Sequence, residues 1–208
     1  MSVAELPADA YHEAIDHLAA LDPDWARHIA AVGPCLHQAT PGREPYEALV
    51  RAIAHQQLHA RAAEAILGRL LALFPNVAFP QPEQLLALSP ETLRACGFSA
   101  SKLATIQGIA QARLEGLIPS RDEALAMDDE GLIERLVPLR GVGRWTVEML
   151  LIYCLERPDI LPVDDFGVRA GYCRLKGLDK PPTPAQLRAL GAAWSPFRTV
   201  AAWYLWRA

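Results

Sequence analysis

LIERLVPLRGVGRWTVEMLLI, residues 132–152, reads as two helices joined by a glycine-rich turn. An amphipathic helix is predicted to end at Pro138, and a second, more apolar helix to begin at Arg144. The two turn glycines permit positive φ and a close approach of a ligand to the backbone. The first amides of the second helix lack partners within it and lie at the positive end of its dipole, so this turn predicts a phosphate site. For a Gly-Val-Gly turn taken alone, a simple helix connection with a glycine cap is the alternative.

The rest of the chain also reads as helices, which are separated by proline and glycine. Apolar residues recur with helical spacing, and no segment shows convincing strand alternation. We count about ten helices and predict an all-α fold. Side-chain caps are the clearest start signals, and they are predicted at Asp22, Ser89, Ser120, Thr183 and, for the last helix, Ser195.

Composition places the chain among ordinary globular proteins. It has 208 residues, of which 51% are apolar and 21% charged. No apolar run approaches the roughly 20 residues of a membrane span, and no signal peptide is evident, so we expect no membrane association. The four cysteines form no C-x-x-C pair, which argues against an iron–sulfur cluster and indicates a reducing, cytoplasmic location.

The charge is unevenly distributed. The net charge of the chain is −4. Residues 1–138 carry 10 basic and 18 acidic side chains, whereas residues 139–208 carry 10 basic and 6 acidic ones. A basic C-terminal third is consistent with a local phosphate-binding face, although a random scatter of surface charge explains the numbers equally well.

Four segments, in order along the chain, resemble the HhH-GPD superfamily of DNA glycosylases. They are the helix end IAHQQLH (53–59), the hairpin LRGVGRWT (139–146), the loop PVDDFGV (162–168) and the final stretch WSPFRTVAAWYLW (194–206). Together they cover about residues 45–206. The pattern is most similar to the AlkA-like DNA-3-methyladenine glycosylase II type.

The resemblance implies an all-α fold of two helical lobes with a central cleft. One lobe would comprise residues 45–158, with the helix-hairpin-helix at about 132–156. The other would combine residues 1–44 with 159–208 and carry the catalytic aspartate. The extra N-terminal β-domain of the AlkA type is not expected.

The resemblance places the catalytic carboxylate at Asp165, directly before Phe-Gly-Val. Its role would be to stabilise positive charge on the sugar and to orient or deprotonate water. A gap-free match to endonuclease III-type enzymes would choose Asp164 instead, so Asp164 is the second choice. With Asp165 catalytic, Asp164 would be a helix cap or loop anchor; from the residues alone, either aspartate suits capping of the next helix.

A base pocket is implied on the same grounds. Its residues would be Trp145, Phe166, Trp206 and Met149, where Met149 replaces the tyrosine of the AlkA type and leaves the base preference open. Trp145 also stands where bifunctional relatives carry a lysine that forms a Schiff base, so hydrolysis by water is expected.

The resemblance also assigns contacts with DNA. Gln57 would be the wedge that fills the space of the flipped base, and His59 would reach the minor groove. The phosphate-binding residues would be Gly141, Val142, Gly143 and Arg144. No cofactor is expected beyond a structural Na⁺ or K⁺ at the backbone carbonyls of Val137, Leu139 and Val142.

The implied function is a monofunctional DNA glycosylase of base excision repair, acting on double-stranded DNA. It would flip alkylated purines, N3-methyladenine first and N7-methylguanine second, and hydrolyse the N-glycosidic bond. A monomer is expected, cytoplasmic and, in a bacterium, associated with the nucleoid. Two alternatives stay open: a non-catalytic helix-hairpin-helix DNA-binding protein, and a glycosylase for another lesion such as ethenoadenine.

Overall fold

The computed structural model describes residues 11–40 and 42–208 of the chain. Within these ranges there are thirteen α-helices, one short 3₁₀ helix and no strand, which confirms the all-α prediction. None of these helices is long and apolar enough to cross a bilayer. The α-helices are α1 His12–Leu21, α2 Pro23–Val32, α3 Pro45–His55, α4 Ala60–Ala72, α5 Pro82–Leu86, α6 Pro90–Ala95, α7 Ala100–Leu114, α8 Arg121–Ala126, α9 Asp129–Leu136, α10 Arg144–Tyr153, α11 Phe166–Leu175, α12 Pro184–Leu190 and α13 Arg198–Leu205; the 3₁₀ helix is Gly191–Trp194.

Most predicted helix starts are confirmed by the caps themselves. The Asp22 carboxylate accepts hydrogen bonds from the amides of Asp24 and Trp25 at 2.9 and 3.2 Å. Ser120 and Thr183 each form a reciprocal capping box with the residue three positions later. These starts were predictable because a cap depends only on neighbours within one turn.

The predicted start of the last helix is wrong. That helix, α13, begins at Arg198 rather than at Ser195, and the Ser195–Pro196 peptide bond is cis. The Ser195 hydroxyl donates to Asp159 Oδ2 at 2.7 Å instead of capping a helix. The Arg198 guanidinium donates to both oxygens of the same carboxylate at 2.6 and 2.8 Å. A partner distant in sequence has therefore replaced the local cap.

The chain divides into two compact units. The central unit, Thr40–Leu155, contains α3 to α10. The terminal unit combines the chain up to Ala39 with Glu156–Ala208, and contains α1, α2 and α11 to α13.

The central unit is organised around α3. This helix packs against α4, α7 and α10, and eight of its eleven residues are buried. Leu49 and Ile53 are completely buried on it, as are Leu132 and Leu136 on α9. Because α3 is buried on nearly all sides, the position of its C-terminal end at His55 is fixed by the core.

The terminal unit has an aromatic core. Trp25 on α2 packs edge-on against Trp194, and Tyr172 on α11 contacts the same indole. Helices α11 and α13 lie so close that a Cβ atom at Gly171 would be 1.8 Å from the carbonyl oxygen of Leu205. Glycine is therefore required at position 171 to let the middle of α11 pack against the end of α13.

Candidate DNA interface and catalytic carboxylate

The predicted helix-hairpin-helix consists of α9, a turn and α10. Gly141 has φ of +78°, and a Cβ atom there would lie 2.3 Å from Thr105 Oγ1 on α7, so only glycine fits. The Val142 side chain is buried, and its amide donates to the carbonyl of Leu139 at 3.0 Å. Gly143, by contrast, has open space around it and precedes α10 as its N-cap. A position without a side chain in front of the first amides of α10 suits the close approach of an anion.

The two arginines beside these glycines have different surroundings. Arg144 donates two hydrogen bonds of 2.7 Å to Glu130 and one of 3.1 Å to the buried Glu148. The hydrogen bonds to Glu130 hold the pKa of Arg144 above its ordinary value. Arg140 is exposed and makes no ion pair or hydrogen bond with the residues that the structure describes. The Arg144 side chain therefore braces α9 against α10, which leaves Arg140 as the accessible cation of the hairpin.

The wedge turn, residues 56–59, follows α3 directly. Gln57 has φ of +56°, a value that residues other than glycine adopt rarely. Its side chain is exposed, and so are those of Leu58 and His59. The Gln56 amide group donates to the Gly141 carbonyl at 3.2 Å and to Thr146 Oγ1 at 3.0 Å. The structure thus connects the wedge turn to the hairpin.

A lysine holds the wedge turn from the other side. Lys102 Nζ on α7 donates to the carbonyl oxygens of Ala54 at 2.8 Å and Gln56 at 2.7 Å. Burial lowers the pKa of Lys102 from its ordinary value. These two carbonyls lie at the end of α3, where backbone oxygens lack helical partners and a cation is favourable.

The Asp165 carboxylate lies at the N-terminus of α11 in the terminal unit. Its Oδ1 accepts hydrogen bonds from the Val168 amide at 2.9 Å and from Trp206 Nε1 at 3.1 Å. A Cβ atom at Gly167 would be 3.0 Å from that same oxygen and 3.1 Å from the Trp206 ring, so glycine gives the pair room. The carboxylate orientation is therefore fixed by one donor from α11 and one from the end of α13.

Asp164 has a different environment. Its side chain is exposed and makes no hydrogen bond or ion pair with the described residues. The prediction that Asp164 caps the helix or anchors the loop is therefore wrong, because Asp165 provides the cap. Because the Asp164 side chain points outward, the adjacent Asp165 side chain can reach the Val168 amide.

The four residues of the predicted base pocket are divided between the units. Trp145 and Met149 are one helical turn apart on α10 of the central unit, and both are half-buried. Phe166 and Trp206 belong to the terminal unit. Phe166 is 69% exposed, which is unusual for a phenylalanine, whereas Trp206 is half-buried and bonded to Asp165.

The hairpin carbonyls have the chemistry of a monovalent-cation site. The carbonyl oxygens of Val137 and Val142 accept no hydrogen bond from the residues described, and that of Leu139 accepts one, from Val142. Neutral carbonyl oxygens suit Na⁺ or K⁺. In the same ranges, no cluster of three or more histidine, cysteine or acidic side chains has the geometry of a metal site.

Three residues of this region were not identified from the sequence. Arg140 precedes the first hairpin glycine and opens the basic part of the chain, so its charge was an available signal. Lys102 and Thr105 belong to no motif, and both are more than thirty residues from the segments that they support. Only the packing of α7 reveals them.

Comparisons with known proteins agree with this geometry. The family model of the HhH-GPD superfamily base excision DNA repair protein matches residues 50–196. DNA-3-methyladenine glycosylase 1 of Schizosaccharomyces pombe is 46% identical over 192 residues, which cover 92% of this chain and 84% of that protein. An alkylbase DNA glycosidase-like protein of the same yeast is 38% identical over 198 residues, covering 95% of this chain and 93% of the relative.

A solved structure of the S. pombe 3-methyladenine DNA glycosylase in complex with abasic DNA superimposes with a TM-score of 0.90. The match is 46% identical in sequence and covers 94% of this chain and 95% of that one. The residues matched by the family model include the hairpin, the wedge turn and Asp165. The chain therefore belongs to the HhH-GPD superfamily of base excision DNA repair proteins.

Proposed function

We propose that this protein is a monofunctional DNA-3-methyladenine glycosylase of base excision repair. The observation that carries the proposal is the Asp165 carboxylate, fixed by the Val168 amide and the Trp206 indole at the start of α11. Its family membership and the names of its relatives support the same activity. N3-methyladenine is the proposed main substrate and N7-methylguanine a second one.

The chemistry follows from the charge of the substrate. An N-alkylated purine is cationic, so its N-glycosidic bond is already weak, and the sugar becomes positively charged as that bond breaks. Asp165 stabilises this charge and accepts a proton from the water that attacks the sugar carbon. The bond to the base breaks with its electrons going to the purine, which leaves as a neutral molecule. The products are the free base, an abasic sugar and one proton.

Hydrolysis without strand cleavage follows from Trp145. A lyase reaction requires an amine that attacks the sugar, and an indole offers none. Trp145 offers instead an aromatic face on which a cationic base can stack. We expect no covalent complex to be trapped by borohydride during reaction with damaged DNA.

Double-stranded DNA is the proposed partner. The α10 amides behind Gly143 are suited to one phosphate, and Arg140 supplies an exposed positive charge beside them. The carbonyls of Val137, Leu139 and Val142 would hold a structural Na⁺ or K⁺, which supplies positive charge between protein and phosphate.

The decisive experiment is base release by Asp165→Asn. Asparagine caps helices as well as aspartate does and can accept the same two hydrogen bonds, so the fold is preserved while the charge is lost. Chromatography of bases released from methylated duplex DNA should show a loss of at least about 100-fold, with duplex affinity largely unchanged. Asp164→Asn is the matched control and should keep wild-type activity.

The outcomes separate the alternatives. Loss of activity in Asp164→Asn with an active Asp165→Asn would reverse the assignment of the carboxylate. Tight duplex binding without base release by the wild type would favour a DNA-binding protein in which Asp165 is only the cap of α11. A panel of other lesions, ethenoadenine included, would then test a different base preference.

We propose further that the protein acts as a monomer in a reducing, cytoplasmic compartment. The four cysteines are free thiols, three of them buried, which is compatible with that environment. Sedimentation of the purified protein would test the monomer directly.

A further inference from the structure

Lys102 stands out because its ammonium group is directed to backbone oxygens instead of to an acid. Its two hydrogen bonds end on Ala54 and Gln56, and no acidic side chain of the described residues forms an ion pair with it. A half-buried lysine that donates to two carbonyls constrains the backbone between them. The residue that follows this constrained segment is Gln57.

Gln57 has a conformation that needs external support. Positive φ is unfavourable for a residue other than glycine and persists where neighbouring groups restrain the backbone. Two independent restraints act here on the preceding residue: Lys102 holds the Gln56 carbonyl, and the hairpin holds the Gln56 side chain. The backbone that carries the exposed side chain of Gln57 is thereby restrained.

The same face of α7 supports both DNA-facing elements of the central unit. Thr105, one helical turn after Lys102, is buried and contacts the position where a Cβ of Gly141 would lie. Lys102 fixes the wedge turn and Thr105 sets the closest approach of the hairpin. The spacing between these elements is therefore determined by one rigid helix.

We propose that Lys102 is a positioning residue that sets the projection of Gln57 into the DNA duplex. The proposal rests on the proposed glycosylase function and on the sequence prediction that Gln57 fills the space left by the flipped base. A group that must enter a gap of one base has little tolerance for displacement, since a misplacement of about 1 Å reduces rates by about 100-fold in some enzymes. Lys102 itself contacts neither the base nor the sugar.

The test is single-turnover base release from methylated duplex DNA by Lys102→Met. Methionine keeps much of the apolar stem and removes the donors. We expect the rate to fall about tenfold, because the wedge is no longer pre-positioned. Lys180→Met is the matched control: Lys180 is exposed and has no hydrogen bond or ion pair to the described residues, so wild-type activity is expected.

A double-mutant cycle separates positioning from a general loss of structure. If Lys102 acts through Gln57, the variant Lys102→Met/Gln57→Ala should be no slower than Gln57→Ala alone. Additive losses would overturn the proposal. So would a wild-type rate in folded Lys102→Met.

A second readout does not depend on catalysis. A duplex with an abasic-site analogue and 2-aminopurine in the opposite strand reports insertion of the wedge as a change of fluorescence on binding. Lys102→Met should lower the amplitude while the Kd changes less than about threefold, because the phosphate contacts persist. An unchanged amplitude would contradict the proposal even if the rate had fallen.

Lys102→Arg serves if Lys102→Met does not fold. It keeps the charge and the donors but replaces a point-like ammonium with a planar fork. A folded Lys102→Arg with reduced wedge fluorescence and a reduced rate supports positioning, because the larger fork displaces the two carbonyls; a folded Lys102→Arg that loses rate while its wedge fluorescence stays that of the wild type overturns it. If wild-type protein binds DNA but releases no base, the proposed function fails separately, and the fluorescence assay still tests Lys102.

Discussion

Arg140 and Arg144 stand on either side of the hairpin glycines, and their environments give them different tasks. The guanidinium of Arg144 is engaged by Glu130 and by the buried Glu148. Its contribution to DNA binding is therefore expected from its backbone amide, as the first residue of α10. Arg140 is the accessible side chain, and a cation next to a phosphate site adds a salt-sensitive contact.

This difference predicts opposite behaviour for two matched substitutions. Arg140→Gln should weaken duplex binding equally for all sequences and reduce the slope of log K against log salt concentration by about one. Its stability should match that of the wild type. Arg144→Gln should leave the slope nearly unchanged but lower the free energy of unfolding by about 1–3 kcal/mol, because the buried carboxylate of Glu148 loses the hydrogen bond from Arg144.

Fluorescence anisotropy over a range of salt concentrations measures the slope, and urea denaturation measures the stability. A reduced slope for Arg144→Gln with an unchanged slope for Arg140→Gln would mean that the ion pairs of Arg144 open when DNA binds. Arg144 would then contact the phosphate with its side chain, as the sequence motif predicts.

At the scale of helices, the packing of α11 on α13 determines how the proposed catalytic carboxylate, Asp165, is held. Asp165 caps α11. Trp206, which donates the second hydrogen bond to the Asp165 carboxylate, directly follows α13. The absence of a side chain at Gly171 lets the two backbones touch. A change at Gly171 should therefore affect both stability and catalysis.

We expect Gly171→Ala to lower the free energy of unfolding by about 3 kcal/mol, since overpacking of a tight contact forces backbone shifts. Base release should decrease as well, because α13 moves away with Trp206. Gly108→Ala is the matched control: Gly108 is interior to α7 with nothing within 4 Å of its Cβ position, so alanine should stabilise by about 0.5–1 kcal/mol. Urea denaturation of both variants checks this, and a stable, active Gly171→Ala would refute the role of the close contact.

The parts of the site that the sequence predicted are those with local causes. Glycine spacing predicted the hairpin, and caps predicted helix starts such as Asp22 and Ser120, because each depends on atoms within a few residues. The start of α13 was missed because Ser195 bonds to Asp159, which is distant in sequence. Lys102 was missed for the same reason, because its partners lie at the end of another helix. Those partners are backbone carbonyls, which every residue type has, so the sequence does not reveal them.

At the scale of the whole molecule, the Asp159 carboxylate connects the beginning of the segment Glu156–Ala208 to the residues around the start of α13. Asp159 accepts hydrogen bonds from Ser195 and Arg198 shortly before α13. Partial burial acts to raise the pKa of Asp159, but the hydrogen bonds from Arg198 and Ser195 outweigh it and hold the pKa below its ordinary value of 3.8.

The sign of this shift predicts a pH dependence of stability. A carboxylate with a lowered pKa in the folded state stabilises the fold above its unfolded pKa, and this contribution is lost as the pH falls through the folded value. Asp159→Asn should therefore lower the free energy of unfolding by about 1–2 kcal/mol at pH 7 and by progressively less below pH 4. Urea denaturation at pH 7, 5 and 3 measures the difference.

Asp179→Asn is the control for this series, since Asp179 is exposed and has no ion pair or hydrogen bond with the described residues. It should match the wild type at every pH. A difference between wild type and Asp159→Asn that stays constant from pH 7 to pH 3 would show that the substitution acts through shape instead of charge.

The terminal unit is assembled from two segments that are far apart in the chain, and this has a consequence for synthesis on the ribosome. α1 and α2 leave the ribosome early, but their packing partners α11 to α13 leave only after the whole central unit. The central unit, with its hairpin and wedge turn, has all its residues available first. We therefore expect the hairpin and the wedge turn of a nascent chain to form before Asp165 gains its second hydrogen-bond donor, Trp206. During translation, we thus expect the chain to be able to bind DNA before it can release bases from it.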